Sequence, residues 1–245
     1  MAISFLTLFP QPVRLAILAS VGLIFSCLMA PLAYAQIPLE SDDWKLHAER
    51  DNIKIYTKKH NDSNFQAFKA IALLNSPITN IMAVMANPHS CVEWVHGCIE
   101  SWGFDQESFR KRYAYSVNDL PWPVQDRDYV LEINTSNNAA TGEFSMSMYA
   151  VSDKRPKNPK YVRVTVAETH YTFRPQGEDK TEMIWLQHTE PGGSIPSWLV
   201  NALIVDIPIK SMKSLEKVAN SEKYSNAVIL YDEQAQIIGV QTQNQ

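Results

Sequence analysis

The chain is 245 residues long and mildly acidic, with 22 Lys and Arg against 26 Asp and Glu. That balance, well mixed along the sequence, argues against a nucleic-acid partner and supplies no attraction to an anionic membrane surface. With 45% apolar residues and six tryptophans there is material for one sizeable core, and no repeat or low-complexity block divides it.

Residues 1–35 carry a single charge, Arg14, then an apolar run from Leu15 to Ala30, Pro31, and Ala33-Tyr34-Ala35. This order of charge, apolar stretch and small-residue site predicts a Sec-type signal peptide, and so a secreted, periplasmic protein. The run is short for a membrane span, which needs roughly 20 residues; an uncleaved anchor is the alternative. Cleavage after Ala35 leaves 210 residues, a single-domain length.

Residues 44–60 read as a hairpin turning at Asp51-Asn52, and 65–74 as the next strand. Ser76-Pro77 supplies a cap and a first-turn proline for a helix over 78–86. Asn87-Pro88 repeats that signal for a second short helix carrying Cys91, Trp94 and Val95. Cys91 and Cys98 are the two cysteines beyond the signal peptide. In one continuous helix their Cα atoms would stand about 10 Å apart, beyond disulfide reach. Gly97 permits a break, so pairing stays open. Strands follow at 98–104, 109–117, 129–135, 143–151, 161–174 and 181–188. Their short connections imply an antiparallel meander.

Between two of these strands runs Pro121-Trp122-Pro123-Val124-Gln125-Asp126-Arg127-Asp128-Tyr129-Val130. Prolines on both sides of Trp122 exclude a helix interior or a central strand, so the segment is a stiff loop at the mouth of a strand. Arg127 is read as a structural salt bridge that fixes this loop, the alternatives being a gating ion pair with Asp126 or a head-group contact. After Pro196, the residues Val200, Ile204, Ile207, Ser211 and Leu215 recur on one helical face, and Pro208 is expected to kink that helix. Residues 226–245 read as a polar, frayed tail.

Chemistry-bearing clusters are sparse. His89, Cys91, His96 and Cys98 suggest a metal set, but at 100° per residue the histidines and cysteines fall on different helical faces, so no metal is assigned. Glu168 and His170 share a strand face and, with His188, are the best acid–base candidates. A hydrogen-bonded pair is the simpler reading. Lys154, Arg155, Lys157 and Lys160 read as a solvated turn. No G-x-S-x-G, H-E-x-x-H or phosphate loop occurs, and no catalytic residue or cofactor is assigned.

The 121–130 segment resembles the signature of START domains, the lipid-transfer relatives of the steroidogenic acute regulatory protein. Trp44 to Tyr56 looks like that family's opening hairpin, with Asn52 where glycine is usual. Glu93-Trp94 resembles its first helical cover, and Tyr161-Val162-Arg163-Val164 one of its strands. Ile184-Trp185-Leu186, then Glu190-Pro191-Gly192-Gly193-Ser194-Ile195-Pro196 and Trp198-Leu199-Val200-Asn201, resemble its last strand and turn into the helix. The resemblance spans about residues 44–223.

It implies an α+β helix-grip fold over residues 36–225, a curved antiparallel sheet wrapped around the long C-terminal helix with an internal hydrophobic cavity. It also implies a monomer that binds and transfers a lipid or other hydrophobic small molecule, with transient membrane contact. The 121–125 loop would be the lid. Trp122, Pro123, Arg127, Trp185, Val200, Ile204, Ile207, Ser211 and Leu215 would form the lid and cavity wall. In animal sterol-binding members a buried Glu–Arg pair faces the ligand. Alignment puts Ala114 and Ile133 there, so this cavity is expected to lack the pair. Related folds include cyclases and hydrolases of aromatic or polyketide substrates, which keeps an enzyme as the alternative.

Overall fold

A computed structural model describes residues 41–60, 63–193, 195 and 197–242; the predicted signal peptide lies outside them. The first hairpin pairs β1 (Lys45–Arg50) with β2 (Ile53–Lys59). Asp51 and Asn52 both take positive φ, 55° and 60°, the geometry a two-residue hairpin turn needs. β3 (Gln66–Leu74) follows, then α1 (Ile78–Ala86). Ser76 does not cap α1 as the sequence suggests. Its hydroxyl is buried without a partner among the described residues, while its carbonyl accepts from the Thr181 hydroxyl at 2.8 Å.

The short α2 (Cys91–Trp94) ends because Val95 is extended, and Gly97, at φ 87°, turns the chain into β4 (Cys98–Phe104). That break brings the Cys91 and Cys98 Cα atoms to 5.9 Å, and the two residues form a disulfide. The thiols are therefore joined to each other rather than open as metal ligands. His89 is engaged through Nδ1 with the Ser101 carbonyl.

β5 (Lys111–Asn118), β6 (Arg127–Asn138) and β7 (Glu143–Ala150) continue the meander. The strand expected over 161–174 is two. β8 (Val162–Arg163) pairs parallel with the start of β6, and β9 (Val166–Pro175) runs on in the sheet. The split carries Arg163 to the side of Asp128, whose carboxylate it grips at 2.7 and 3.0 Å. With β10 (Thr181–Glu190) the sheet order is β1-β2-β3-β10-β9-β7-β6-β5-β4. This large sheet curves around α3 (Ser197–Ala219), which continues past Pro208. Ile209, Met212 and Leu215 of α3 pack with Ile81 and Val84 of α1 and Phe173 and Met183 of the sheet in one buried cluster.

The C-terminal segment is not the frayed tail expected from its composition. β11 (Val228–Tyr231) and β12 (Ile237–Gln241) form a hairpin. Ile237 is fully buried, with Ile229 and Val240 packed on the main core. Asn137 fastens it, accepting from the Ile237 amide at 2.8 Å and donating to the Ala235 carbonyl at 3.0 Å. A lone two-stranded hairpin is marginal in water; docking on the core is what orders this one.

Candidate functional site

Side chains alternate across a strand, and one set of faces in this sheet encloses a cavity of about 680 Å³ against α3. Ala114 and Ser116 of β5, Leu131 and Ile133 of β6, Met146 and Met148 of β7, and Thr169 and Tyr171 of β9 line it, with Leu203, Ile204 and Ile207 of α3 opposite. Aromatic rings form part of the wall. Trp185 stands 5.3 Å from Tyr171 and 5.9 Å from Trp94, centroid to centroid. Burial pushes the Tyr171 phenol up from its ordinary value and that of Tyr129 up to about 12, so both stay neutral hydroxyls at physiological pH.

Arg127, Trp185, Ile204 and Ile207, four of the residues proposed from sequence, are in the wall. Ser211 and Leu215 lie beyond it on α3. The Ser211 hydroxyl accepts from the His96 amide at 2.9 Å, and Leu215 is closed into the core. Trp122 and Pro123 are outside the wall, and Trp122 is 92% exposed. The side chain of Val200 lies outside the described residues. Pro121, by contrast, reaches the cavity.

The salt bridge expected of Arg127 is not found among the described residues. The Arg127 guanidinium is buried and donates to the carbonyls of Gln125, Pro191 (3.1 Å) and Gly192 (2.7 Å). Asp126 instead closes the base of the loop, accepting from the Leu120 amide at 3.2 Å. One side chain thus ties the loop to the turn that leads into α3. Gly192 and Gly193 sit at φ 65° and 64°, and a Cβ on Gly193 would stand 3.5 Å from the Arg127 Nη2. The conformation favours glycine there, while the space would admit a Cβ in ordinary contact. Asp128, one residue on, points to the opposite face. It is fully buried against Arg163 and accepts from the Tyr115 hydroxyl at 3.2 Å.

The acid–base candidates share that opposite face. Ala167, Thr169 and Tyr171 look into the cavity, so Glu168 and His170 do not; they bond to each other at 2.6 Å. Gln187 and Thr189 look in, so His188 does not. It stacks 4.1 Å from His60, and burial, then that neighbour, pull its pKa below the ordinary histidine value.

Ala114 and Ile133, the two positions aligned from sequence with that buried pair, both face the cavity. The wall is nevertheless not free of charge. Arg112, two residues before Ala114 and paired across the ladder with Ile133, lines it and is buried. Burial lowers its pKa to about 10, which leaves it protonated. Sequence reasoning missed it, although a period of two from Ala114 points to it.

A START domain family model matches residues 29–224. An uncharacterized protein of Pseudomonas aeruginosa is 31% identical over 179 residues, covering 73% of this chain and 88% of that one. Phosphatidylcholine transfer protein of Rattus norvegicus is 25% identical over 168 residues, 66% of this chain and 77% of that one. Among solved structures, a STAR-related lipid transfer protein fragment from Xanthomonas axonopodis superposes with a TM-score of 0.67 at 27% identity, over 74% of this chain and all of that one.

Proposed function

The chain belongs to the START domain family, and from that premise we propose that it takes up one lipid or other hydrophobic molecule in the 680 Å³ cavity and carries it without chemical change. The observation that carries this reading is the cavity itself, set between sheet and α3, with methionine, leucine, isoleucine and aromatic side chains forming its apolar wall. An apolar ligand gains roughly 25 cal/mol for each Å² it removes from water there. Uptake needs a way in, and the loop at 121–125 is the candidate lid. Its base is pinned by Asp126 and Arg127, and its free part carries prolines that limit disorder when it lifts. Because Arg127 also holds the Pro191–Gly192 turn, lid movement and the start of α3 would shift together. Trp122 would face the membrane during exchange, which is the transient contact the cycle requires.

Export fits the same picture. The Cys91–Cys98 disulfide suits an oxidising compartment, and the leader at 1–35 would deliver the chain there. The cyclase or hydrolase alternative finds no support in Glu168, His170 or His188, none of which lines the cavity.

Native mass spectrometry of the protein purified from its own host tests the carrier reading. A co-purifying species of lipid mass is the expected result. An empty protein that also takes up no fluorescent lipid would overturn it.

A further inference from the structure

Resting on that carrier reading, we propose that Arg112 is the receptor for an oxyanion head, the phosphate or carboxylate of an amphiphilic lipid, inside the cavity. Three buried arginines lie along this part of the sheet, and they differ in what neutralises them. Arg163 has the Asp128 carboxylate at 2.7 Å. Arg127 spends all three of its nitrogens on loop carbonyls. Arg112, 8% exposed, has no carboxylate within ion-pair distance among the described residues. Its Nη1 donates to the Phe109 carbonyl at 2.6 Å and the Thr135 hydroxyl at 2.9 Å, and its Nη2 to the Met85 carbonyl at 3.3 Å. A guanidinium has five N–H groups. Nε–H and one Nη2–H are therefore left without an acceptor among the described residues, donors of the kind that hold an oxyanion with charge-assisted bonds.

Arginine does not neutralise itself by losing its proton, and a buried charge without a partner is strongly unfavourable. The acidic residues of the wall, Asp105 and Asp119, are both exposed, and neither makes an ion pair with Arg112 among the described residues. The missing counter-charge is then brought by the ligand. Arg112 is the second residue of β5, while Asn118, at the other end, adjoins the 121–125 loop. Six residues of strand separate them by about 20 Å, so the ligand would lie with its head far from the lid and its chains along Leu131, Met146 and Ile207. A sterol offers no such anion and is disfavoured.

Equilibrium binding of two matched probe pairs to the purified protein tests this: phosphatidylglycerol against diacylglycerol with the same acyl chains, and a fluorescent fatty acid against its alcohol. The anionic member of one pair should bind roughly 10- to 100-fold tighter than its neutral partner, the range expected of charge-assisted bonds to a buried group. The pair that shows the preference names the head as phosphate or carboxylate. In Arg112→Gln the preference should fall to near parity with neutral binding kept, and in Arg112→Lys it should be intermediate. Should Arg112→Gln fail to fold, the wild-type ratio and Arg112→Lys decide. Wild-type ratios within twofold in both pairs, or a preference that survives in Arg112→Gln, would overturn the role of Arg112 while leaving the carrier reading intact. No uptake of any of the four probes overturns both.

Discussion

Arg127 and Asp128 are neighbours in sequence with separate tasks, because adjacent strand residues point to opposite faces. Arg127 serves the cavity side and the 121–125 loop; Asp128 anchors β8 to β6 from the outer side through Arg163. The Asp128 carboxylate is fully buried, so Asp128→Asn leaves Arg163 charged and uncompensated. A loss of about 3–5 kcal/mol in urea unfolding is expected, and Asp128→Leu with Arg163→Met together should cost clearly less. Equal costs for single and double variants would mean the pair is not the anchor. His188 gives a pH prediction. Its Nδ1 is buried without a hydrogen-bond partner among the described residues, and burial and His60 hold its folded pKa below 6.5. The folded state therefore takes up this proton less readily than the unfolded chain. The associated stability is present above pH 6.5 and is lost as pH falls from there toward the lowered value. Thermal melts from pH 7.5 to 5 should fall more steeply for wild type than for His188→Gln, and parallel curves would contradict this. At this scale the sequence was legible where a motif names a residue, as at Arg127. It was illegible where the partner is distant: Gly192 lies 65 positions from Arg127 in the chain, and no local pattern links them.

Elements were easier to read than partners, since periodicity and breakers act locally. The helix over 78–86 and the strand over 98–104 stand where the pattern puts them. Two misreadings share a cause, tertiary context overriding composition. The 161–174 run looks continuous because every residue suits a strand, yet Arg163 is drawn to Asp128 and the chain divides. The 226–245 segment looks frayed because its end is polar, yet Ile229, Ile237 and Val240 give it an apolar face that α1 and the core accept. Ile237→Ala tests the second point. A frayed residue would be indifferent to truncation, whereas a fully buried isoleucine should cost about 2–5 kcal/mol in denaturant unfolding. A loss below about 0.5 kcal/mol, the range of surface substitutions, would show that the hairpin does not dock.

For the whole molecule, the proposed transfer raises the question of how a protein of net charge −4 would reach a membrane. Electrostatic attraction to an anionic bilayer is absent, so the encounter has to rest on apolar contact. Trp122 is the large apolar side chain most exposed among the described residues, at 92%, and it stands on the loop whose lifting would open the cavity. A tryptophan can bury roughly 150–250 Å², worth several kcal/mol at roughly 25 cal/mol per Å² if fully inserted. Partial insertion at the interface still suffices for roughly a tenfold change in residence. Trp122→Ser should therefore slow transfer of a fluorescent lipid between vesicles about tenfold, while equilibrium binding of the same lipid and the thermal midpoint stay at wild-type values, because the side chain touches neither cavity nor core. The wild-type rate should also change little between low and high salt, since screening acts on charges and not on apolar contact. A salt-sensitive wild-type rate, or a Trp122→Ser protein that transfers as fast as wild type, would move the membrane contact away from this loop and leave the lid as a cover for the cavity alone.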